Sequence, residues 1–537
     1  MSGRDYAGTI PRLLESAAER DGDETWLRSD HGSLTFGGAV AAVSLTADGL
    51  AAAGVRKGDL VMLTASNVPP YLLSWLALTS MGAVAVAVNP RSSAAELAGL
   101  VRQVHPRLLI TDPWLAELIQ AAEEEPGRAD GPGGGETTFP FPSIVYVDEL
   151  VPTAWSDPAE MEAAAKSARL PAAGIAPDDL AVLIPTSGTT GRSKLVMQTH
   201  RAYAMAGEGF PYWMELTSAD RLMTTLPLFH INAPAYTVMG SLACGAGLVL
   251  AERFSASAFL DTARRHGATE FNAIGAMLEI LMRLPERDED PDTPLRLCYT
   301  GPAPERERQL EIERRFGMRI VVGYAMSESP YGLIWAHGTR PFGTLGSVRQ
   351  HPTLGVVNEA RVVDEAGSVL GPGETGELQL RNPVLTPGYL GMPEETAAVM
   401  SDSWLRTGDL VTVGSDGTYT FVSRVKEVIR RRGENLSPLE VEEVLEAHPA
   451  VLECAVVGVP SELSEEEVKA FVVPPAGVQV NFGEVRAFAA ERLAAFKVPR
   501  YWQLIDELPR TPTARVAKHR LPDGHPPEEF DAEERSD

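Results

Sequence analysis

The chain has 537 residues, 44% hydrophobic and 22% charged, the balance of a globular protein long enough for several domains and a large core. Its formal net charge of −26 excludes the basic face that a nucleic-acid partner requires. No apolar run approaches the roughly 20 residues that span a bilayer, residues 1–6 lack the apolar part of a secretory signal, and three cysteines without metal-ligand spacing are expected to be buried free thiols in a reducing cytoplasm.

Taken in chain order, residues 34–90 alternate strand and helix. Residues 60–65 read as a strand, 70–81 as a helix and 83–88 as a second strand, which implies βαβ units and a mostly parallel sheet. Residues 123–136 join an acidic triplet to a Gly/Pro run and read as a surface excursion. Residues 181–184 are an apolar strand running into a loop dense in glycine and hydroxyls. Further strands are predicted near 221–226, 247–250, 270–273, 295–299 and 318–322. Beyond Gly343 short strands with turns at 365–367, 371–373 and 416–417 predict a β-rich subdomain to about residue 424. A helix over 438–447, strands over 452–459 and 469–473, and a helix over 482–494 predict a compact α+β tail. The expected class is α/β: a large N-terminal domain of parallel and mixed sheets over residues 1–424 and a small C-terminal domain over 425–537.

The loop at 185–194 carries the strongest chemical signal. Gly188 and Gly191 permit positive φ and close approach of a ligand. Backbone N–H groups, the hydroxyls of Thr186, Ser187, Thr189 and Thr190, and the ammonium of Lys194 then converge on an anion, most simply phosphate. The spacing is not that of a Walker A loop. A Ser/Thr/Gly run is also ordinary turn chemistry; the strand before it and the lysine after it favour the anion. Two later segments add to it. Gly323-Tyr324-Ala325-Met326-Ser327-Glu328 follows the predicted strand at 318–322, and strand ends of open α/β sheets carry ligand sites. In Thr407-Gly408-Asp409, a short acid behind glycine suits bidentate contact with two ribose hydroxyls, although the triplet alone is also turn chemistry.

Thr186 to Lys194, continuing to His200, resembles the signature loop of the adenylate-forming superfamily of acyl- and aryl-CoA synthetases, peptide-synthetase adenylation domains and luciferases, with Ser193 and Leu195 replacing a proline and a glycine of the usual form. The resemblance covers nearly the whole chain, in family order, and is nearest the carnitine-CoA ligase type. It implies that Tyr324 packs on adenine, Ser327 meets the phosphates, Glu328 holds Mg²⁺ and Asp409 the ribose. Arg424 would contact ribose or phosphate, and Lys426 would be the pivot of a mobile lid. Gly433 would line the pantetheine tunnel once the lid turns. Gly301, Pro302 and Ala303 would flank adenine, and His230, with Gly275, Met277 and Tyr331, would line the acid pocket. The implied reaction joins an acid to AMP from ATP with release of pyrophosphate, then passes it to a nucleophile, in the commonest case CoA. Many relatives are homodimers, and neither a nucleic acid nor a membrane is an expected partner.

One departure stands out. In the final motif Ala514-Arg515 occupies the place of the usual Gly-Lys, so the catalytic lysine is replaced by Arg515 or by Lys518 three residues on. Arginine keeps the charge but is planar and bulkier, so the exchange is not conservative. Three readings follow: ordinary carboxylate adenylation supported by either residue, adenylation of nitrite for diazotisation of an aryl amine in natural-product biosynthesis, or a non-catalytic nucleotide-binding protein.

Overall fold

The computed structural model describes residues 7–125, 141–151, 155, 157–186, 193–301, 303–364, 366–424, 429–461, 465–509, 516, 518, 521–522, 524–526 and 528–533. The predicted excursion at 123–136 falls mostly outside them, as does the expected pivot Lys426.

Two large sheets form the N-terminal part. In the first, six strands run in the order Ser143–Tyr146, Leu108–Thr111, Leu60–Thr64, Val84–Ala87, Leu180–Thr186 and Lys194–Thr199. The first five are parallel, as the βαβ reading required, and the last turns back antiparallel with Thr186 opposite Lys194. The helix Pro69–Met81 begins on two prolines and ends at Gly82, whose φ of 70° is the left-handed C-terminal cap that glycine favours. It is apolar all round because it is buried all round, against the helices Ile10–Asp21 and Phe36–Ala52.

The second sheet has nine strands in the order Ser347–Val348, Ser329–Ile334, Arg319–Met326, Leu297–Gly301, Glu270–Ile274, Arg221–Thr224, Gly247–Leu250, Thr25–Ser29 and Gly32–Thr35. Its central strands are parallel, so Ile274, Gly301 and the end of Arg319–Met326 reach the same edge. One boundary differs from expectation. The strand predicted over 318–322 continues to Met326, because an antiparallel hairpin with Ser329–Ile334 pairs Gly323 with Ile334, Tyr324 with Leu333 and Met326 with Ser329. Tyr324 therefore stands within a strand, and the turn falls at Ser327 and Glu328.

The β-rich subdomain is a five-stranded sheet built on Trp404–Val413, which pairs with Thr375–Arg381 and Tyr419–Arg424. The C-terminal part carries a hairpin, Ile429–Arg431 with Glu434–Leu436, and a four-stranded sheet flanked by the helices Pro438–Glu446 and Phe482–Ala490. The apolar clusters of this part contain residues from Ile429 onward only, so its core does not merge with that of the larger domain. Cys244, Cys298 and Cys454 are free thiols; Cys298 and Cys454 are buried and Cys244 is partly exposed. Burial raises the Cys244 thiol to about 12, well outside the range of a reactive thiolate. Among the described residues no helix is long and apolar enough to cross a membrane.

Candidate active site

The strand pair that opens and closes the glycine-rich loop fixes its two ends. Thr186 Oγ1 donates to the backbone oxygen of Lys194 at 3.3 Å. Ser187, Gly188, Thr189, Thr190 and Gly191 lie outside the described residues, as do Pro302, Lys426 and Arg515. Lys194 Nζ stands 4.7 Å from the centre of the Tyr389 ring. The Tyr389 hydroxyl donates to Glu328 Oε1 at 2.9 Å, so one buried phenol spans the expected phosphate lysine and the expected metal carboxylate. Burial and the adjacent Glu328 carboxylate both hold that phenol above its ordinary pKa.

The turn at Ser327 and Glu328 is clamped from behind. Gln198 Nε2 donates to the Ser327 oxygen at 2.5 Å, and the Thr386 N–H donates to the Glu328 oxygen at 2.7 Å. Thr386 Oγ1 donates in turn to the Met197 oxygen at 2.6 Å. Residues 386–390 thus tie the strand Lys194–Thr199 to the turn. Gln198, Thr386 and Tyr389 are absent from the sequence-based site; only the Pro387-Gly388 turn ahead of an aromatic residue marked the segment.

Tyr324 Oη donates to Asp409 Oδ2 at 2.6 Å, which joins the nine-stranded sheet to the β-rich subdomain. Asp409 is 3% exposed and is presented by a local kink. Gly408 has φ 73°, its N–H reaches Glu377 Oε1 at 3.2 Å, and the Asp409 N–H reaches Thr407 Oγ1 at 3.2 Å. Arg424 pairs with Asp409 across neighbouring strands through the backbone.

Gly301 needs to be small: a Cβ there would stand 2.5 Å from the Gly323 oxygen. Ala303 is partly buried against the main core. His230 ends the turn after Leu226, which Asn67 clamps by donating to the Leu226 oxygen at 2.7 Å and accepting from the Leu228 N–H at 2.9 Å. A π-helix, Ala233–Val238, follows at once; such wide turns recur at functional sites. Gly275 opens the helix Gly275–Arg283 directly after Ile274, and Met277 is buried in the core. Tyr331 has no exposed surface and lies edge-on to Trp213, with ring centres 4.9 Å apart.

The C-terminal hairpin reaches into this region. Arg432 and Gly433 have φ of 51° and 81°, the pattern of a tight two-residue turn. A Cβ on Gly433 would stand 2.3 Å from Ile274 Cδ1, so together with its φ of 81° glycine suits the close seating of the hairpin. Beside it Glu434 Oε2 meets His230 Nε2 at 2.9 Å, and Glu434 Oε1 accepts from Asn89 Nδ2 at 3.4 Å. Burial alone would raise the Glu434 carboxyl; the facing His230 outweighs it and holds the carboxyl below its ordinary range. Arg431 and Arg432 are engaged within the tail: Arg431 pairs with Glu467 at 2.5 Å and Arg432 with Glu533 at 3.0 Å. Lys518 is likewise held within the tail, 2.7 Å from Glu442 and 3.0 Å from the Val456 oxygen.

Comparison with known proteins matches this arrangement. The AMP-binding enzyme family model covers residues 14–390, and the model of the AMP-binding enzyme C-terminal domain covers residues 440–515. The chain belongs to the AMP-binding enzyme family, the adenylate-forming superfamily. Among its curated relatives, crotonobetaine/carnitine–CoA ligase of Salmonella enteritidis PT4 is 30% identical over 492 residues, spanning 89% of this chain and 91% of that protein. A double mutant of Bacillus subtilis o-succinylbenzoate CoA synthetase, bound with a product analogue, is 27% identical with a TM-score of 0.79, covering 95% of this chain and 98% of that one. The amide bond synthetase McbA of Marinactinospora thermotolerans is 25% identical, also with a TM-score of 0.79, covering 96% and 99%.

Proposed function

We propose that the protein is an AMP-forming acid–CoA ligase. The observation that carries this reading is the seating of the Gly433–Glu434 hairpin on Ile274, His230 and Asn89. That places a glycine turn of the C-terminal domain against the segments expected to line the acid pocket, where a thiol acceptor has to arrive. The name of the Salmonella relative and the CoA product analogue in the Bacillus structure support the same acceptor.

Attack of the acid oxygen on the α-phosphorus of ATP places charge on phosphoryl oxygens, so donors and cations, rather than a covalent nucleophile, are what the site must supply. Lys194 and the hydroxyls from Thr186 to Thr190 hold the departing phosphates, and the Tyr324–Asp409 pair fixes the nucleoside. Arg424, opposite Asp409 on the neighbouring strand, is the expected cation for ribose or phosphate. Glu328, a single carboxylate held by Tyr389, fits Mg²⁺, which takes one or two protein carboxylates and completes its shell with phosphate oxygens and water. The metal would neutralise phosphate charge. Lys518 is engaged by Glu442 within the C-terminal domain itself, so its use in the first half-reaction requires that ion pair to open as well as the domain to turn about Lys426.

Pyrophosphate release from ATP and Mg²⁺, measured over aliphatic and aryl acids with and without CoA, tests the proposal. CoA-dependent turnover of a carboxylate is expected. Turnover of nitrite with an aryl amine and no need for CoA would replace this reading by the diazotase one, and transfer to an amine would place the chain beside the amide bond synthetase.

A further inference from the structure

Arg349 follows the strand Ser347–Val348 and is wholly buried. Its Nε donates to the Leu333 oxygen at 2.8 Å, Nη1 donates to the Tyr236 hydroxyl at 2.9 Å, and Nη2 donates to the Tyr299 hydroxyl. The rings of Trp213, Tyr236 and Tyr299 surround it, with centres 4.9, 5.1 and 5.4 Å from the guanidinium carbon. Two of its five N–H groups find no acceptor among the described residues, and no described carboxylate pairs with it. The Tyr236 hydroxyl spends its own hydrogen on the Pro330 oxygen at 2.6 Å, whereas the Tyr299 hydroxyl has no acceptor among the described residues. A buried cation and a phenol therefore offer donors with nothing described to receive them.

Their place in the fold says what would receive them. Tyr299 lies two residues before Gly301 on one strand, and Tyr236 lies in the π-helix that follows His230. Gly323 precedes Tyr324, and a Cβ there would stand 2.5 Å from Arg349 Nη2 and 2.7 Å from the Tyr299 hydroxyl. The guanidinium thus sits where three segments bounding the candidate pocket converge, and the missing side chain at 323 is what lets it approach. Stitching these strands together does not account for the charge. An apolar side chain in the same aromatic cage would do that without desolvating a cation, and cation–π contacts compensate only part of that cost.

We propose that Arg349, with the Tyr299 hydroxyl, closes the inner end of the acid pocket and receives a second carboxylate, making the preferred substrate a compact dicarboxylic acid. The assignment rests on the acid-activating reading above. A planar guanidinium with two free N–H groups matches a carboxylate bidentately. Phe210, Tyr236 and Tyr299 pack on one another with ring centres 5.3 to 5.5 Å apart, an aromatic wall beside the guanidinium that favours a compact acid.

ATP–pyrophosphate exchange with short dicarboxylates, and with monocarboxylates of the same length, reads this directly. The wild-type protein is expected to prefer the dicarboxylates by about 100-fold or more in kcat/KM, as sites built to pair a polar group reject analogues that lack it. Arg349→Met should abolish that preference while apolar monocarboxylates hold or improve, and Tyr299→Phe should reduce it about 3- to 10-fold. Should Arg349→Met fail to fold, the wild-type ranking and Tyr299→Phe still decide. Equal or better use of monocarboxylates by the wild type overturns the assignment while adenylation stands, and so does an equal loss on every acid in both variants. Exchange with no acid at all overturns the acid-activating reading and this assignment with it.

Discussion

The nucleotide side of the site and the seat of the C-terminal domain are both polar, but they are embedded differently. Tyr389, which holds Glu328, belongs to a continuous apolar core that runs through both large sheets, Tyr324 packs on the core of the β-rich subdomain, and its partner Asp409 is almost wholly covered. The C-terminal domain has its own core and touches the larger one through the seat of Gly433 on Ile274 and through polar contacts: Glu434 on His230 and Asn89, Lys497 on Glu96, and Ser93 on the Arg492 oxygen. Polar groups regain water when such pairs part, whereas parting an apolar interface has no such compensation and costs free energy in proportion to its area. The first region is built to hold its geometry and the second to release it. Substitutions in the two should therefore separate the half-reactions.

The largest expected effect is at Asp409. Replacing it by alanine removes the partner of the Tyr324 hydroxyl and, on the proposed reading, the ribose contact, so adenylation should fall about 100-fold or more in kcat/KM, measured by ATP–pyrophosphate exchange. An Asp409→Ala variant with unchanged exchange would show that the nucleoside lies elsewhere. Tyr389→Phe is expected to cost about 10-fold in the same assay, since it removes one hydrogen bond to Glu328 but leaves the ring beside Lys194.

The reverse pattern is expected at Lys497. Its ammonium lies 2.5 Å from Glu96 in the large domain and 2.7 Å from Glu440 in the small one. Burial alone would lower the Lys497 pKa, but the two carboxylates outweigh it and raise it; Glu440, buried and sharing that cation with Glu96, is pushed up. Lys497→Met leaves two facing acids without a cation, so the docked arrangement weakens. CoA-dependent turnover should fall about 10-fold while pyrophosphate exchange stays within about twofold. Equal losses in both assays would mean that Lys497 serves the fold and not the docking.

How much of this was legible in sequence varies with the kind of information. The parallel sheets and the helix Pro69–Met81 followed from period and punctuation, and Tyr324, Glu328 and Asp409 stood out by motif. That Tyr324 bonds to Asp409 did not, because 85 residues and a change of sheet separate them. The strand Arg319–Met326 outran its predicted end since pairing with Ser329–Ile334, rather than local propensity, sets its length. Arg349 escaped notice for a related reason: an arginine after a two-residue strand reads as surface, and only three distant aromatic rings make it a buried cation.

The smallest effect, and the finest test of the contrast, is the pH dependence of docking. The Glu434 carboxyl is held below its ordinary value in the docked state, so its contribution is full above the ordinary carboxylate pKa of about 4.3 and is lost as pH falls through the lowered value. Lys497 works in the opposite sense: its raised pKa makes its contribution full below about 10.4 and lost as pH rises through the raised value. Docking should accordingly be strongest across neutral pH and weaken at both extremes, visible as a fall in CoA-dependent turnover relative to pyrophosphate exchange at each pH. His230 is partly open to solvent, which screens its pairing with Glu434, so Glu434→Gln should weaken docking only about 2- to 5-fold at neutral pH while flattening the acid limb. An acid limb unchanged in Glu434→Gln would assign that titration to another group, and the Lys497 pair would then be the contact that seats the domain.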